Sequence, residues 1–114
     1  MSHSAPRMTL PTQAVLRALL AEPSHAQYGL EICAQSGLAS GTIHPILGRL
    51  ESIEWIESHW EDVDPRQVGR PRRRYYRLTQ RGAERARSAI KEAEDRARGL
   101  QLRMHPGLAE GGLA

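Results

Sequence analysis

Seven arginines, Arg66, Arg70, Arg72, Arg73, Arg74, Arg77 and Arg81, fall within residues 65–81, a stretch with no acidic residue and so a local charge of +7. Guanidinium groups carry a permanent positive charge and a fork of N–H donors, the chemistry that grips phosphate oxygens. Residues 12–64 have the opposite character: Arg17 and Arg49 stand against Glu22, Glu31, Glu51, Glu54, Glu57, Glu61, Asp62 and Asp64, a balance of −6. The formal net charge of +3 therefore conceals an acidic body joined to one basic patch. A second polar group is Ser40-Gly41-Thr42, with His44 just beyond. Short hydroxyls and an imidazole at the start of a helix can bond phosphates or base edges, beside the backbone N–H groups that a helix N-terminus leaves free. For Ser40 and Thr42 the competing reading is helix capping alone, and the bland reading of the arginines is a solvated charge run.

Enzyme chemistry has no comparable footing. His3, His25, His44, His59 and His105 show no His-x-x-x-His spacing, and the chain has neither a Gly-x-Ser-x-Gly elbow nor a Gly-rich phosphate loop after a strand. No cofactor, metal or catalytic group is expected. Cys33 is the single cysteine, which excludes an internal disulfide and a Cys-rich zinc site and leaves packing as its role. The chain has no long apolar run and no apolar leader in its first eight residues, so a cytoplasmic protein is expected. A length of 114 residues with 39% hydrophobic content fits one small domain.

The elements that must position these groups follow from periodicity. Residues 1–8 show none and read as a disordered lead. Thr9 is a suitable N-cap, Pro11 suits a first turn, and Val15, Leu16, Leu19 and Leu20 share one face, which predicts a helix over about 10–21. Ser24-His25-Ala26-Gln27 has the form of a capping box, predicting a second helix from there to about Gln35, with Gly37 as its left-handed stop. Ile43, Ile46, Leu47, Leu50 and Ile53 form the stripe of a third helix, capped by Ser40 or Thr42, with Pro45 near its first turn. From Trp55 to Trp60 the period changes to two, and Arg72 to Leu78 reads as the return strand of a hairpin whose two tryptophans belong to the core. The intervening loop, with Pro65, Gly69 and Pro71, is roughly ten residues against the usual two to five, long enough to suggest contact with a partner. Thr79 caps a last helix on which Ala83, Ala86, Ile90, Ala93, Ala97, Leu100 and Met104 alternate spacings of 3 and 4, a coiled-coil type of seam. Residues 105–114 read as a frayed tail.

Three helices, a two-stranded β-wing and a C-terminal helix make a mainly α (α+β) winged helix-turn-helix arrangement, with the third helix shaped for the major groove of double-stranded DNA. The organisation expected is a DNA-binding domain over 9–79 and a dimerisation helix over 80–104. On this reading Ser40, Thr42, His44 and Arg49 face the groove, Arg70, Arg72 and Arg73 lead the wing contacts, Arg66 follows, and Arg74 points to the other face of the sheet. The alternative is a winged-helix protein-interaction module that binds no DNA.

Ser40-Gly41-Thr42-Ile43-His44-Pro45-Ile46-Leu47, Arg49-Leu50-Glu51 and Gly69-Arg70-Pro71-Arg72-Arg73-Arg74-Tyr75-Tyr76-Arg77-Leu78-Thr79 together resemble the PadR family of transcriptional regulators, as does Tyr28-Gly29-Leu30-Glu31-Ile32. The resemblance spans about residues 9–82. It implies a dimeric repressor on a near-palindromic operator, released by a small-molecule effector, and adds Tyr28, Gly41 and Pro45 to the DNA-contacting set. It further implies that the C-terminal helix and the first helix, through Val15 and Leu19, build the homodimer. Two departures stand out: His44 occupies a position where the family usually has Tyr, and residues 80–104 carry no aromatic to sandwich a flat ligand.

Overall fold

The computed structural model describes residues 5–104, so the tail over 105–114 and the first part of the lead lie outside the described residues. The end of the lead is anchored. Met8 packs against the core, and its carbonyl accepts a 2.8 Å hydrogen bond from Gln13 Nε2.

Helix α1 (Leu10–Ala21) starts where its signals place it: the Thr9 hydroxyl accepts from Thr12 N–H, and Pro11 lies in the first turn. Its inner face buries Val15, Leu16 and Leu19 completely or nearly so. Ser24 and Gln27, in contrast, form no capping box. Gln27 and Tyr28 are a short strand, β1 (Gln27–Tyr28), and the Gln27 amide donates across to the Ala18 carbonyl at 3.0 Å. Helix α2 (Gly29–Ser36) begins after them, and the Glu31 carboxylate accepts the Tyr28 N–H at 3.2 Å, so the helix starts four residues later than the sequence pattern suggests, with one side-chain cap rather than a reciprocal pair. Gly37 ends α2 in the left-handed region at φ 75°, its N–H bonded to the Cys33 carbonyl, and Leu38 and Ala39 complete the turn.

Helix α3 (Ser40–Ser52) is capped by neither Ser40 nor Thr42. Ala39 occupies the N-cap and has no side chain to offer. Pro45 consequently sits inside the helix rather than in its first turn. Its missing N–H leaves the Gly41 carbonyl, four residues back, without a helical donor; both residues are exposed, so that oxygen is open to solvent, and Gly41 has no Cβ to restrict the backbone there. The inner face, Ile43, Ile46, Leu47 and Leu50, is buried as its period requires.

Strand β2 (Ile56–Trp60) and strand β3 (Arg74–Leu78) pair antiparallel, Ile56 opposite Leu78 and Trp60 opposite Arg74. Strand β1 joins the other edge of β3, so the sheet has three strands in the order β1-β3-β2 rather than two. Arg72 and Arg73 lie in the loop, not the strand, and that loop contains a single turn, α4 (Pro65–Val68), capped by Asp64. The two tryptophans differ: Trp55 is 4% exposed in the core, whereas Trp60 is 58% exposed.

Helix α5 (Gln80–Met104) is capped by Thr79, whose hydroxyl accepts from Gly82 N–H and donates to the Glu54 carbonyl. Gly82 is there because a Cβ would stand 1.8 Å from the Trp55 carbonyl oxygen. Ala83, Ala86 and Ile90 join the same core cluster as α1, α3 and the sheet, so residue 79 is not a packing boundary and the helix begins as part of the domain. Val15 and Leu19, 0% and 1% exposed, hold the same core together and have no surface to present to a partner.

Candidate nucleic-acid interface

The outer face of α3 carries Ser40, Gly41, Thr42, His44, Pro45 and Arg49, all exposed, opposite the apolar stripe that fixes the helix to the body. Since no side chain caps the helix and the first bond into its ladder comes from Thr42 N–H, the N–H groups of Ser40 and Gly41 are free to meet an anion. The ring of His44 packs beside Gly29 at the start of α2, where an added Cβ would approach its Cε1 at 3.7 Å. Two helix starts therefore converge on one side of the molecule.

The arginines of the basic run do not act alike. Arg70 forms a two-pronged ion pair with Glu61, at 2.7 and 2.9 Å, and the same carboxylate accepts the Arg73 N–H. The Arg70 hydrogen bonds are the main reason the Glu61 carboxyl is lowered from 4.5 to about 2, against a smaller opposing effect of desolvation. Arg70, expected with Arg72 and Arg73 to lead the wing contacts, thus has its guanidinium paired within the wing, holding the loop to Glu61 just beyond the end of β2. Arg77 pairs with Glu57 across β2 and β3 at 2.7 Å. Arg74, on the face of β3 opposite to that of Arg77, reaches Ser58 Oγ at 2.9 Å and Glu51 at 3.4 Å. Among the described residues, Arg66, Arg72, Arg73 and Arg81 have no carboxylate partner. Arg72 is fixed by a 2.8 Å bond from Nε to the Val63 carbonyl, and its terminal nitrogens have no partner among the described residues. Arg73 lies over the Tyr28 ring at 4.1 Å, and Tyr28 in turn meets Tyr75 edge to face. Tyr28 thus supports a wing arginine from β1.

Between these parts runs an open groove of about 470 Å³, walled by Tyr28 and Leu30 at the start of α2, Ser40 and His44 of α3, Trp60 of β2, and Arg72 with its neighbours on the wing. Leu30 and Trp60 are absent from the sequence-based set, because an apolar side chain on a helix or strand reads as core until its neighbours are known. Arg7 is absent as well; with Arg49 it lines a separate shallow depression beside α1. The predicted set is therefore divided: Tyr28, Ser40, His44, Arg70, Arg72 and Arg73 line this groove, Gly41, Thr42 and Pro45 are exposed on α3, Arg66 lies on α4 and Arg49 lies farther along α3.

The C-terminal seam divides too. Ala83, Ala86 and Ile90 are buried within the chain, whereas Ala93 is half-buried, Ala97 is exposed, and Leu100 and Met104 are 52% and 64% exposed. An ion pair from Arg17 of α1 to Glu94 at 2.7 Å marks where α5 leaves the body. No helix among the described residues is long and apolar enough to cross a membrane.

No curated protein sequence matches this chain significantly. Among solved structures, a PadR family transcription regulator from Clostridium difficile is 25% identical, with a TM-score of 0.58 over 93% of this chain and 100% of that one. A PadR-like transcriptional regulator from Bacillus cereus shares the fold at 18% identity and a TM-score of 0.59, covering 82% and 89% of the two chains. The PcaV transcriptional regulator of Streptomyces coelicolor, solved in complex with its natural ligand, is 26% identical with a TM-score of 0.63, over 90% of this chain and 64% of that one. The model of the transcriptional regulator PadR-like family matches residues 15–88, and the chain belongs to that family: it is a transcription regulator with a DNA-binding winged-helix fold, not an enzyme.

Proposed function

We propose that the protein is a cytoplasmic, dimeric repressor that binds a near-palindromic operator, with α3 in the major groove and the wing on the adjoining backbone. The observation that carries this reading is the uncapped N-terminus of α3, with Ser40 and His44 lining the same groove as Arg72 and Arg73 and Thr42 exposed on the same helix. Free N–H groups and unpaired guanidiniums on one surface suit a phosphate strand, and the polar side chains of α3 suit base edges. Arg66 and Arg49 extend the contact at its two ends. The exposed half of α5, from Ala93 through Ala97 and Leu100 to Met104, supplies the self-association surface, and a dimer sets two α3 helices about one turn of DNA apart. The likeness to PcaV, a regulator solved with its natural ligand, supports release by a small-molecule effector.

Fluorescence anisotropy with the DNA flanking the protein's own gene tests the reading. Saturable, salt-sensitive binding of two chains per site is expected, with competition by that DNA and not by unrelated duplex. Binding of no duplex at any salt concentration, with the protein folded, favours the protein-interaction module instead.

A further inference from the structure

Trp60 is out of place for a structural residue. It continues the face of β2 that begins with buried Ile56 and half-buried Ser58, yet it lies beyond the edge of the core and is 58% exposed. A second, shallower depression, lined by Pro65, Pro71 and Arg72, lies against it, so the indole stands as a wall between two recesses. Arg74, its cross-strand partner, places a guanidinium 5.4 Å from the ring centre, and Arg74 is itself held by Ser58 and Glu51. The ring is therefore braced from the sheet while much of its apolar surface faces water. Across the groove stand Ser40 and His44 of α3, and Arg72 lines the groove as well as the second recess. Phosphate binding needs none of this apolar surface; a sugar-phosphate strand, which alternates an anionic group with an apolar deoxyribose face, uses both.

Resting on the proposed DNA-binding role, we propose that Trp60 is a DNA-contact residue that packs against a deoxyribose of the strand whose phosphates lie on Arg72, Arg73 and the N-terminus of α3. The contact is apolar. It strengthens binding to every sequence without releasing counterions, and so leaves the salt dependence unchanged.

The test is acrylamide quenching of tryptophan emission in the full chain, with and without duplex DNA, in the wild type and in Trp60→Phe. The variant reports Trp55 alone, and the difference isolates Trp60. Trp60 should be readily quenched in the free protein and shielded in the complex. A Trp60→Ala variant, checked for folding by circular dichroism, should bind about tenfold more weakly with an unaltered slope of log K against log salt, as expected for lost apolar contact. If wild type binds DNA and Trp60 stays equally open to acrylamide, or if Trp60→Ala binds as tightly as wild type, the inference is wrong. Absence of DNA binding by the wild type overturns the proposed function itself, a separate outcome.

Discussion

The wing and the C-terminal helix divide in the same way. In each, a run that is uniform in sequence splits into one part that stabilises the chain's own fold and one part that faces outward. In the wing, Arg70, Arg74 and Arg77 are held by Glu61, Glu51 and Glu57, while Arg72 and Arg73, which share the groove with Arg70 and Arg74, have no carboxylate partner. In α5, Ala83, Ala86 and Ile90 are buried, while Ala97, Leu100 and Met104 are not. Composition and period identify the kind of surface a segment carries; only the packed neighbours decide whether that surface is already satisfied. The acidic body and the basic patch accordingly neutralise each other in part, and the charge left for a partner is smaller and more localised than +7.

Each half of that division can be attacked separately. The largest effect is expected from Arg72→Ala combined with Arg73→Ala: DNA affinity at moderate salt should fall on the order of a hundredfold, as two phosphate contacts per chain are lost, with the thermal midpoint close to wild type. Next, Ile90→Ala should destabilise the fold by about 2 kcal/mol in urea unfolding, the usual loss for a truncated core side chain. Leu100→Asp should leave folding intact and instead shift the sedimenting species towards monomer. Equal effects of these last two on folding would erase the distinction drawn within α5. Arg70→Ala should lower stability more than it lowers DNA affinity, with a pH signature. Because Glu61 is held at about 2 rather than 4.5, its contribution is complete above 4.5 and disappears as pH falls towards 2. The stability gap between wild type and Arg70→Ala should therefore narrow over that window. Smallest of all, Thr42→Ala should weaken binding a few-fold without altering stability, since no cap is lost.

Much of this was legible from residue types alone. The limits of α1, the left-handed stop at Gly37, the buried stripe of α3 and the hairpin followed from period and capping chemistry, because those signals act over a single turn or strand. What the sequence concealed depends on distant partners. Gln27 looked like half of a capping box, but its amide meets Ala18 and its backbone pairs with Tyr76. Ser40 and Thr42 looked like caps, but the cap position falls on Ala39, one residue before Ser40 and three before Thr42. Arg70 looked free because residues 65–81 contain no acid; its partner, Glu61, lies just outside that window on the far side of the loop. Trp60 looked like core because strand alternation cannot show where the core ends.

The most direct measurement is the slope of log K against log salt for binding to the flanking DNA, compared among wild type, Arg72→Ala with Arg73→Ala, and Arg70→Ala. The slope should flatten by about one for each phosphate contact removed in the double variant and stay at the wild-type value in Arg70→Ala. An unchanged slope in the double variant, or an equal flattening in Arg70→Ala, would contradict the division of the wing into anchoring and DNA-facing arginines.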